Sequence, residues 1–296
     1  MAANRSASHR ASTTYPLVLV HGLLGFSTIG PRRNLEYFRG VMQHLENNRE
    51  VLRGRAKVYV ADIDPLDTIP SRAIQLRDFI QRRIYDHRRK KFRCEKVHII
   101  AHSMGGLDAR YMISNLSLDV GDRSAMADRV ASLTTIGTPH LGTPFADFMM
   151  ELPVGQQLIQ WANLYSINVG AFEQLTVKFL VKDAFNDRMP DREQVRYYAY
   201  AGDVPTLRVF PPLALPAEVI RRSKNGGDND GLVPVESAIS GYPTLDDRFP
   251  QVLRADHATQ IGHGYGQLPV GFQRGFSHLE FYAHLASALG PIADKK

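Results

Sequence analysis

His98-Ile99-Ile100-Ala101-His102-Ser103-Met104-Gly105-Gly106-Leu107 is the stretch on which the fold turns. An apolar run arrives at Ser103, small residues follow at once, and Leu107 to Leu116 reads as a helix. Such a run, bounded by loops, suits a strand covered on both faces. The pattern Ala-x-Ser-x-Gly is a variant of the Gly-x-Ser-x-Gly nucleophile elbow, with alanine in the first place. A serine on a tight strand-to-helix turn has a strained backbone, and bulky side chains two residues to either side would collide across it. The turn lifts the hydroxyl into a cleft, and the helix N-terminus favours developing negative charge there. The alternative is a glycine-rich turn without chemistry, and the strand before and helix after argue against it.

Working outward, five further short runs read as strands: Leu17–Val20, Lys57–Ala61, Ser132–Ile136, Val195–Ala201 and Gln251–Leu253, with Lys96–Ala101 leading into the elbow. Helical patterns lie between them. Pro70 suits a first helical turn, where its missing N–H is not needed, and Leu76, Phe79, Ile80 and Ile84 recur at helical spacing. Leu279, Tyr282, Leu285 and Leu289 form a similar stripe near the end. Alternating strands and helices predict an α/β fold with a mainly parallel sheet flanked by helices.

Residues 143–190 break this rhythm. They are helical in pattern and rich in apolar side chains, among them Phe145, Phe148, Leu158, Trp161, Phe172 and Leu180. A core helix pair is one reading. The favoured one is a cap or lid with an apolar underside, since lids often arrive as long insertions between core elements. Trp161 is either a core anchor or a substrate contact.

His21-Gly22-Leu23-Leu24-Gly25 follows the first strand. Gly22 lets the backbone turn so that an amide faces the cleft. The amides of Leu23 and Met104 are the candidate oxyanion-hole donors, and His21 is read as holding the loop. The alternative is a glycine turn that merely ends a strand.

An elbow serine is followed in sequence by an acid and then a histidine. In Asn225–Pro234 (NGGDNDGLVP), Asp230 is the chosen acid and Asp228 the second candidate, against plain turn chemistry or calcium binding. Only His257, His263, His278 and His284 come later. His278 and His284 fall in the last helix. His257 follows a strand-like run and is the chosen base, with His263 second. His257 would take the Ser103 proton while Asp230 fixes its tautomer.

Composition sets the outer bounds. At 296 residues with 44% hydrophobic and 22% charged residues, the chain can bury one large core and is not disordered as a whole. Cys94 is the only cysteine, which excludes an internal disulfide and a cysteine-zinc site. The richest apolar stretch, 16–26, is too short for a membrane-spanning helix. The formal net charge of +6 permits, without establishing, an acidic partner. The basic run Arg82–Arg93 reads as a solvated helix end, with attraction to anionic lipid as the sharper alternative. No stacking aromatics accompany it, so nucleic acid is not expected. Residues 1–15 are polar and basic and read as a disordered tail before a single domain at 16–296. A short organellar transit peptide is the alternative; otherwise a cytoplasmic location, or secretion without a recognisable signal peptide, is expected.

With these pieces in order, the chain resembles the bacterial family I true lipases of the α/β-hydrolase superfamily. The resemblance spans about residues 16–290. It is carried by PLVLVHGLLGF (16–26), AHSMGG (101–106), TIGTPHLGTPFAD (135–147), FNDRMPD (185–191) and NDGLVPVESA (229–238). It implies an α/β-hydrolase fold with a helical cap at about 143–190, a triad of Ser103, Asp230 and His257, and oxyanion donors at Leu23 and Met104. It implies a lipid or ester substrate met at a lipid–water interface. The implied reaction, hydrolysis of carboxylic esters such as triacylglycerols through an acyl-enzyme on Ser103, needs no cofactor. Three departures stand out: alanine at 101, no disulfide partner for Cys94, and Thr259 where the family's calcium site has an aspartate. Arg208–Pro212 also lacks the family's second carboxylate, so a structural calcium does not transfer with the rest. A short-chain carboxylesterase or acyltransferase could use the same triad, and a catalytically silent scaffold is the third alternative.

Overall fold

The structure is a computed structural model and describes residues 15–23, 28–29, 35–48, 57–86, 91–121, 123–153, 170–263 and 276–289. Six parallel strands form the central sheet: β1 (Leu17–Val20), β2 (Val58–Val60), β3 (Val97–His102), β4 (Val130–Ile136), β5 (Arg196–Gly202) and β6 (Val252–Leu253). Their spatial order is β6-β5-β4-β3-β1-β2. All six strand expectations are met, and β4 starts earlier than SLTTI suggests. Two short antiparallel pairs, Thr28–Ile29 with Leu35–Glu36 and Tyr85–Asp86 with Lys91–Phe92, lie apart from it. Two-residue strands carry no alternation to read, so the sequence did not signal them. Arg82 and Arg83 of the basic run lie in the last turn of the helix Ile69–Ile84, where a helix end was expected, and residues 87–90 lie outside the described residues.

Side chains on successive strand residues go to opposite faces. Thus Val18 and Val20 join one apolar core with Ile99, Leu133 and helix residues, while Leu17 and Leu19 join another on the far face. Helices α1 (Val41–Asn47), α2 (Ile69–Ile84) and α3 (Gly105–Asn115) follow β1, β2 and β3 in turn. In α2, Pro70 sits in the first turn, and Ile69, Ala73, Leu76, Ile80 and Ile84 are buried. Each of these leucine and isoleucine side chains contributes roughly 1.5–3 kcal/mol by leaving water. α2 and α3 cover one face of the sheet, and α1 packs with the last helix on the other.

The stretch after β4 departs from this alternation, as expected. α4 (Pro144–Glu151) is capped by Thr143, whose hydroxyl accepts from the Phe145 amide. Beyond it come a helical turn at Gly170–Glu173, a widened turn at Lys178–Lys182 and a tight one at Phe185–Arg188. Ala146, Ala171, Leu175, Leu180 and Phe185 pack onto Ile69, Met104 and Leu107 as a third apolar cluster. Trp161, Leu158, Ile159, Leu164 and Ile167 lie outside the described residues, as do residues 1–14 of the tail. α5 (Ala214–Arg222) and α6 (His278–Ala288) complete the long helices, and α6 buries Phe281, Tyr282 and Leu285. None of the described helices is long and apolar enough to cross a membrane.

The strand order locates the site. From β1 the chain steps outward to the edge strand β2, then returns to place β3 on the other side of β1. Parallel sheets bind ligands outside the carboxyl ends of strands where the order reverses in this way. The loops leaving β1 and β3 begin with His21-Gly22-Leu23 and Ser103-Met104.

Candidate active site

Ser103 has φ +57°, the left-handed region that non-glycine residues rarely occupy. Its neighbours hold it there. The Ser103 amide donates to the Ile136 carbonyl at 2.9 Å, and its carbonyl accepts from the Thr138 hydroxyl at 2.8 Å. Two glycines are required by contact. A β-carbon on Gly105 would lie 2.6 Å from the Val20 carbonyl oxygen, and one on Gly22 would lie 2.6 Å from Ser103 Cβ and 2.9 Å from its Oγ. The loop after β1 therefore packs directly against the candidate nucleophile.

That loop is oriented from behind. His21 Nδ1 donates to the Gly22 carbonyl at 3.0 Å, and burial lowers the His21 pKa to about 4, so the ring is neutral at pH 7. Arg72, fully buried on α2, donates through Nη2 to the His21 carbonyl at 2.7 Å and pairs with buried Asp108 of α3 at 2.7 Å. Burial pushes the Asp108 pKa upward against the pull of Arg72. In a trans peptide the N–H points opposite to the preceding C=O. With the Gly22 carbonyl turned to His21, the Leu23 amide is directed away from that ring. Sequence reasoning missed the Arg72–Asp108 pair. An arginine within the apolar stripe of α2, three residues after Ile69 and four before Leu76, was the available signal.

Asp230 is fully buried, and its carboxylate is saturated with donors. Oδ1 accepts from the amides of Leu232 at 3.0 Å and Val233 at 2.8 Å. Oδ2 accepts from His257 Nδ1 at 2.8 Å and Gln260 Nε2 at 3.0 Å. Because the carboxylate only accepts, His257 Nδ1 carries the proton and Nε2 is left as the basic nitrogen. The second candidates do not join this arrangement. Asp228 is 72% exposed and bonds Arg221 at 3.3 Å. His263 lines the cavity below, but its Nε2 bonds the carbonyls of Glu36 and Tyr37. His278 and His284 bond the Arg39 carbonyl and Asp246.

Ser103 and His257 open onto one cavity of about 600 Å³. Its other walls are mainly apolar: Leu23 from the β1 loop, Phe145 and Ala146 of α4, Phe172 and Leu175, Leu213, Leu232 and Ile261. Met104 is buried at the start of α3. Among the described residues no lysine or arginine lines the cavity, and this lining suits an uncharged, greasy group.

Calcium does not fit the place where the resemblance would put it. Asp256, the nearby buried carboxylate, already serves the backbone: Oδ2 accepts from the Phe210 amide and Oδ1 from the Thr259 amide, each at 2.7 Å. Thr259 offers a single hydroxyl, and the hard cation takes 6–8 oxygens. Among the described residues no group of three or more His, Cys, Asp or Glu side chains is arranged to hold a metal.

Residues 13–190 match the family described as "Putative serine esterase (DUF676)". The chain belongs to that family. It is 29% identical over 211 residues to triacylglycerol lipase 2 of Saccharomyces cerevisiae, an alignment covering 69% of this chain and 57% of the yeast protein. It is 29% identical over 281 residues to a triacylglycerol lipase of Vibrio cholerae, covering 84% of this chain and 80% of that one. Among solved structures, the Staphylococcus hyicus lipase superposes with a TM-score of 0.67 at 17% identity, covering 97% of this chain and 98% of that chain, which is a likeness of fold. The chain thus shares the fold of a lipase and belongs to a family described as serine esterases, and it spans only 57% of the length of the yeast relative. The match is to this broader family and does not single out the bacterial family I true lipases.

Proposed function

We propose that the protein hydrolyses neutral esters with apolar acyl chains, of triacylglycerol type, through an acyl-enzyme on Ser103. The observation that carries this reading is one apolar cavity reached by both Ser103 and a His257 ring whose far nitrogen is held by Asp230. In the first half-reaction Ser103 Oγ attacks the ester carbonyl while His257 Nε2 takes its proton. Asp230 steadies the imidazolium. The amides of Leu23 and Met104 hold the oxyanion, a contribution on the order of 100- to 1,000-fold in rate per donor. The imidazolium then gives its proton to the departing alcohol oxygen. In the second half-reaction His257 deprotonates water, which attacks the acyl-enzyme; the acid leaves and Ser103 regains its proton. Residues 143–190 act as the cap over the acyl group, supported by Phe145, Ala146, Phe172 and Leu175 in the cavity wall. The kinship to family I lipases in particular, and action at a lipid–water interface, belong to this reading.

The test pairs a variant with a substrate series. Ser103→Ala is expected to abolish ester turnover and fluorophosphonate labelling with the melting temperature little changed; full activity would refute the mechanism. Wild-type protein assayed on p-nitrophenyl esters of rising chain length is expected to keep activity on long acyl chains. Activity confined to short chains would replace the lipase reading with a short-chain esterase, and acyl transfer outrunning hydrolysis in the presence of alcohol would indicate an acyltransferase.

A further inference from the structure

Asp230 is held by more than the base. Behind it the side chain of Gln260, fully buried, bridges to His102: Nε2 donates to Asp230 Oδ2 at 3.0 Å, and Oε1 meets His102 Nε2 at 3.1 Å. His102 Nδ1 in turn meets the Tyr37 hydroxyl at 2.8 Å. The fold makes room for this amide. A β-carbon on Gly137 would lie 2.5 Å from Gln260 Oε1, and one on Gly202 2.3 Å from its Nε2. Those glycines stand just past β4 and at the end of β5; Gly137 also clears Asp230 Oδ2 and Gly202 the Ala255 carbonyl, so together they leave room for the Asp230–Gln260 contact.

The polarity of this chain is forced. A carboxylate cannot donate, so the amide must present its N–H to Asp230 and its oxygen to His102. His102 Nε2 therefore carries the ring proton, and Nδ1 accepts from the Tyr37 hydroxyl. Burial holds His102 well below the ordinary histidine pKa, with the nearby His257 and His263 adding to the effect, so the ring keeps one donor and one acceptor. At the far end the Gly22 backbone hydrogen-bonds the Tyr37 hydroxyl. The chain thus runs from the loop beside Ser103 to the carboxylate behind His257, and the His102 and His257 rings lie 4.4 Å apart.

We propose that Gln260 is a positioning residue: with His102 and Tyr37 it forms a one-directional hydrogen-bond chain that locks Asp230 behind His257 and ties that pair to the Gly22–Leu23 loop. This rests on the catalytic reading above. It makes no contact with substrate. Its effect is to keep the acceptor of the pair in one rotamer and to share the carboxylate's charge.

The test compares Gln260→Leu, Gln260→Glu and Tyr37→Phe with the wild type, each first checked for an unchanged fold by circular dichroism. Gln260→Leu is expected to lower kcat on the order of 10-fold with KM nearly unchanged. Removing the N–H donor leaves Asp230 freer to stabilise imidazolium, so the acid limb of the kcat/KM profile should move to higher pH. Gln260→Glu adds a second carboxylate facing Asp230 and should move it further. Nitrogen-15 spectra of labelled histidine should show His102 as the Nε2–H tautomer in the wild type and still in Tyr37→Phe, where the Gln260 oxygen goes on accepting that proton, and a mixture in Gln260→Leu. The wild-type readout needs no substrate and stands if Gln260→Leu fails to fold. Unshifted pH profiles, or a His102 tautomer other than Nε2–H in the wild type, would overturn the proposal. A wild type inactive on every ester would instead sink the esterase reading and leave the tautomer result to decide this one.

Discussion

At the scale of single residues, the site is built on close approach. Gly22 is the clearest case, because its missing side chain is the space in which Ser103 sits. Gly22→Ala would place a methyl 2.6 Å from Ser103 Cβ and 2.9 Å from Tyr37 Oη, and neither neighbour is the free end of a flexible chain. The loop must then move, taking the Leu23 amide with it. The expected outcome is a loss of kcat/KM on the order of 100-fold, the scale of one oxyanion donor. The stability cost should be about 1–3 kcal/mol, as for other overpacked sites. Steady-state kinetics with a thermal melt checks it, and near-normal activity would mean that the Leu23 amide is not a donor. Ser103, Ala101 and Gly105 were legible in the sequence because the elbow is a local device. Asp230 and His257 were legible through their order in the chain. Arg72 and Gln260 were not, since their roles depend on partners 51 and 30 residues away, and such pairings leave no local periodicity.

Among elements, two motifs of the sequence find their meaning in one knot of polar side chains. Arg110 of α3 reaches His140 Nδ1 at 3.3 Å and Asn186 Oδ1 at 3.1 Å, and Asn186 Nδ2 donates to the His140 carbonyl at 2.7 Å. The loop after β4 and the Phe185–Arg188 turn, itself the end of the segment read as the cap, are thereby fastened to α3. Asn186→Ala removes one donor and one acceptor from a partly buried knot, which should cost about 1–2 kcal/mol. If this segment roofs the acyl group, KM for long-chain esters should rise while kcat for short ones holds. A variant with lowered melting temperature but unchanged KM on every chain length would make the knot structural only. A second clamp, Asp256 between the amides of Phe210 and Thr259, ties the cavity wall to the turn that carries His257. Hydrogen bonds to a charged carboxylate are stronger than neutral ones, about 1.5–3 kcal/mol each. This clamp does locally what a bridging cation could do, so a chelator is expected to leave both activity and melting temperature unchanged. A fall in either on chelation, restored by added calcium, would show that a cation binds after all.

For the whole molecule, the six strands could be read from apolar runs, but their spatial order could not, because parallel neighbours are joined through long crossovers. The sheet buries several histidines in the process, and this sets how stability should respond to acid. His98 on β3 bonds Ser132 at 2.8 Å and lies near Arg196; burial first and that cation second lower its pKa to about 4. His21 is lowered to about 4 as well, and His102 and His140 fall well below the ordinary value. An unfolded histidine titrates near 6.5. Between about pH 6.5 and 4 the unfolded chain therefore binds more protons than the folded one, and stability rises with pH across that window. The contribution is fully present above the unfolded value and is lost as the pH falls toward 4. Each such histidine adds up to about 1.4 kcal/mol per pH unit to the slope. Asp108, raised by burial, works in the opposite sense and offsets part of it. The urea midpoint of the wild type should fall steeply from pH 7 to 5. His98→Asn keeps a polar group near the position of Nδ1 but cannot take up a proton, so its midpoint should fall less steeply over the same range, whatever its stability at pH 7. Parallel slopes for the two proteins would mean that His98 does not titrate between its folded and unfolded states, and that the acid sensitivity comes from elsewhere in the core.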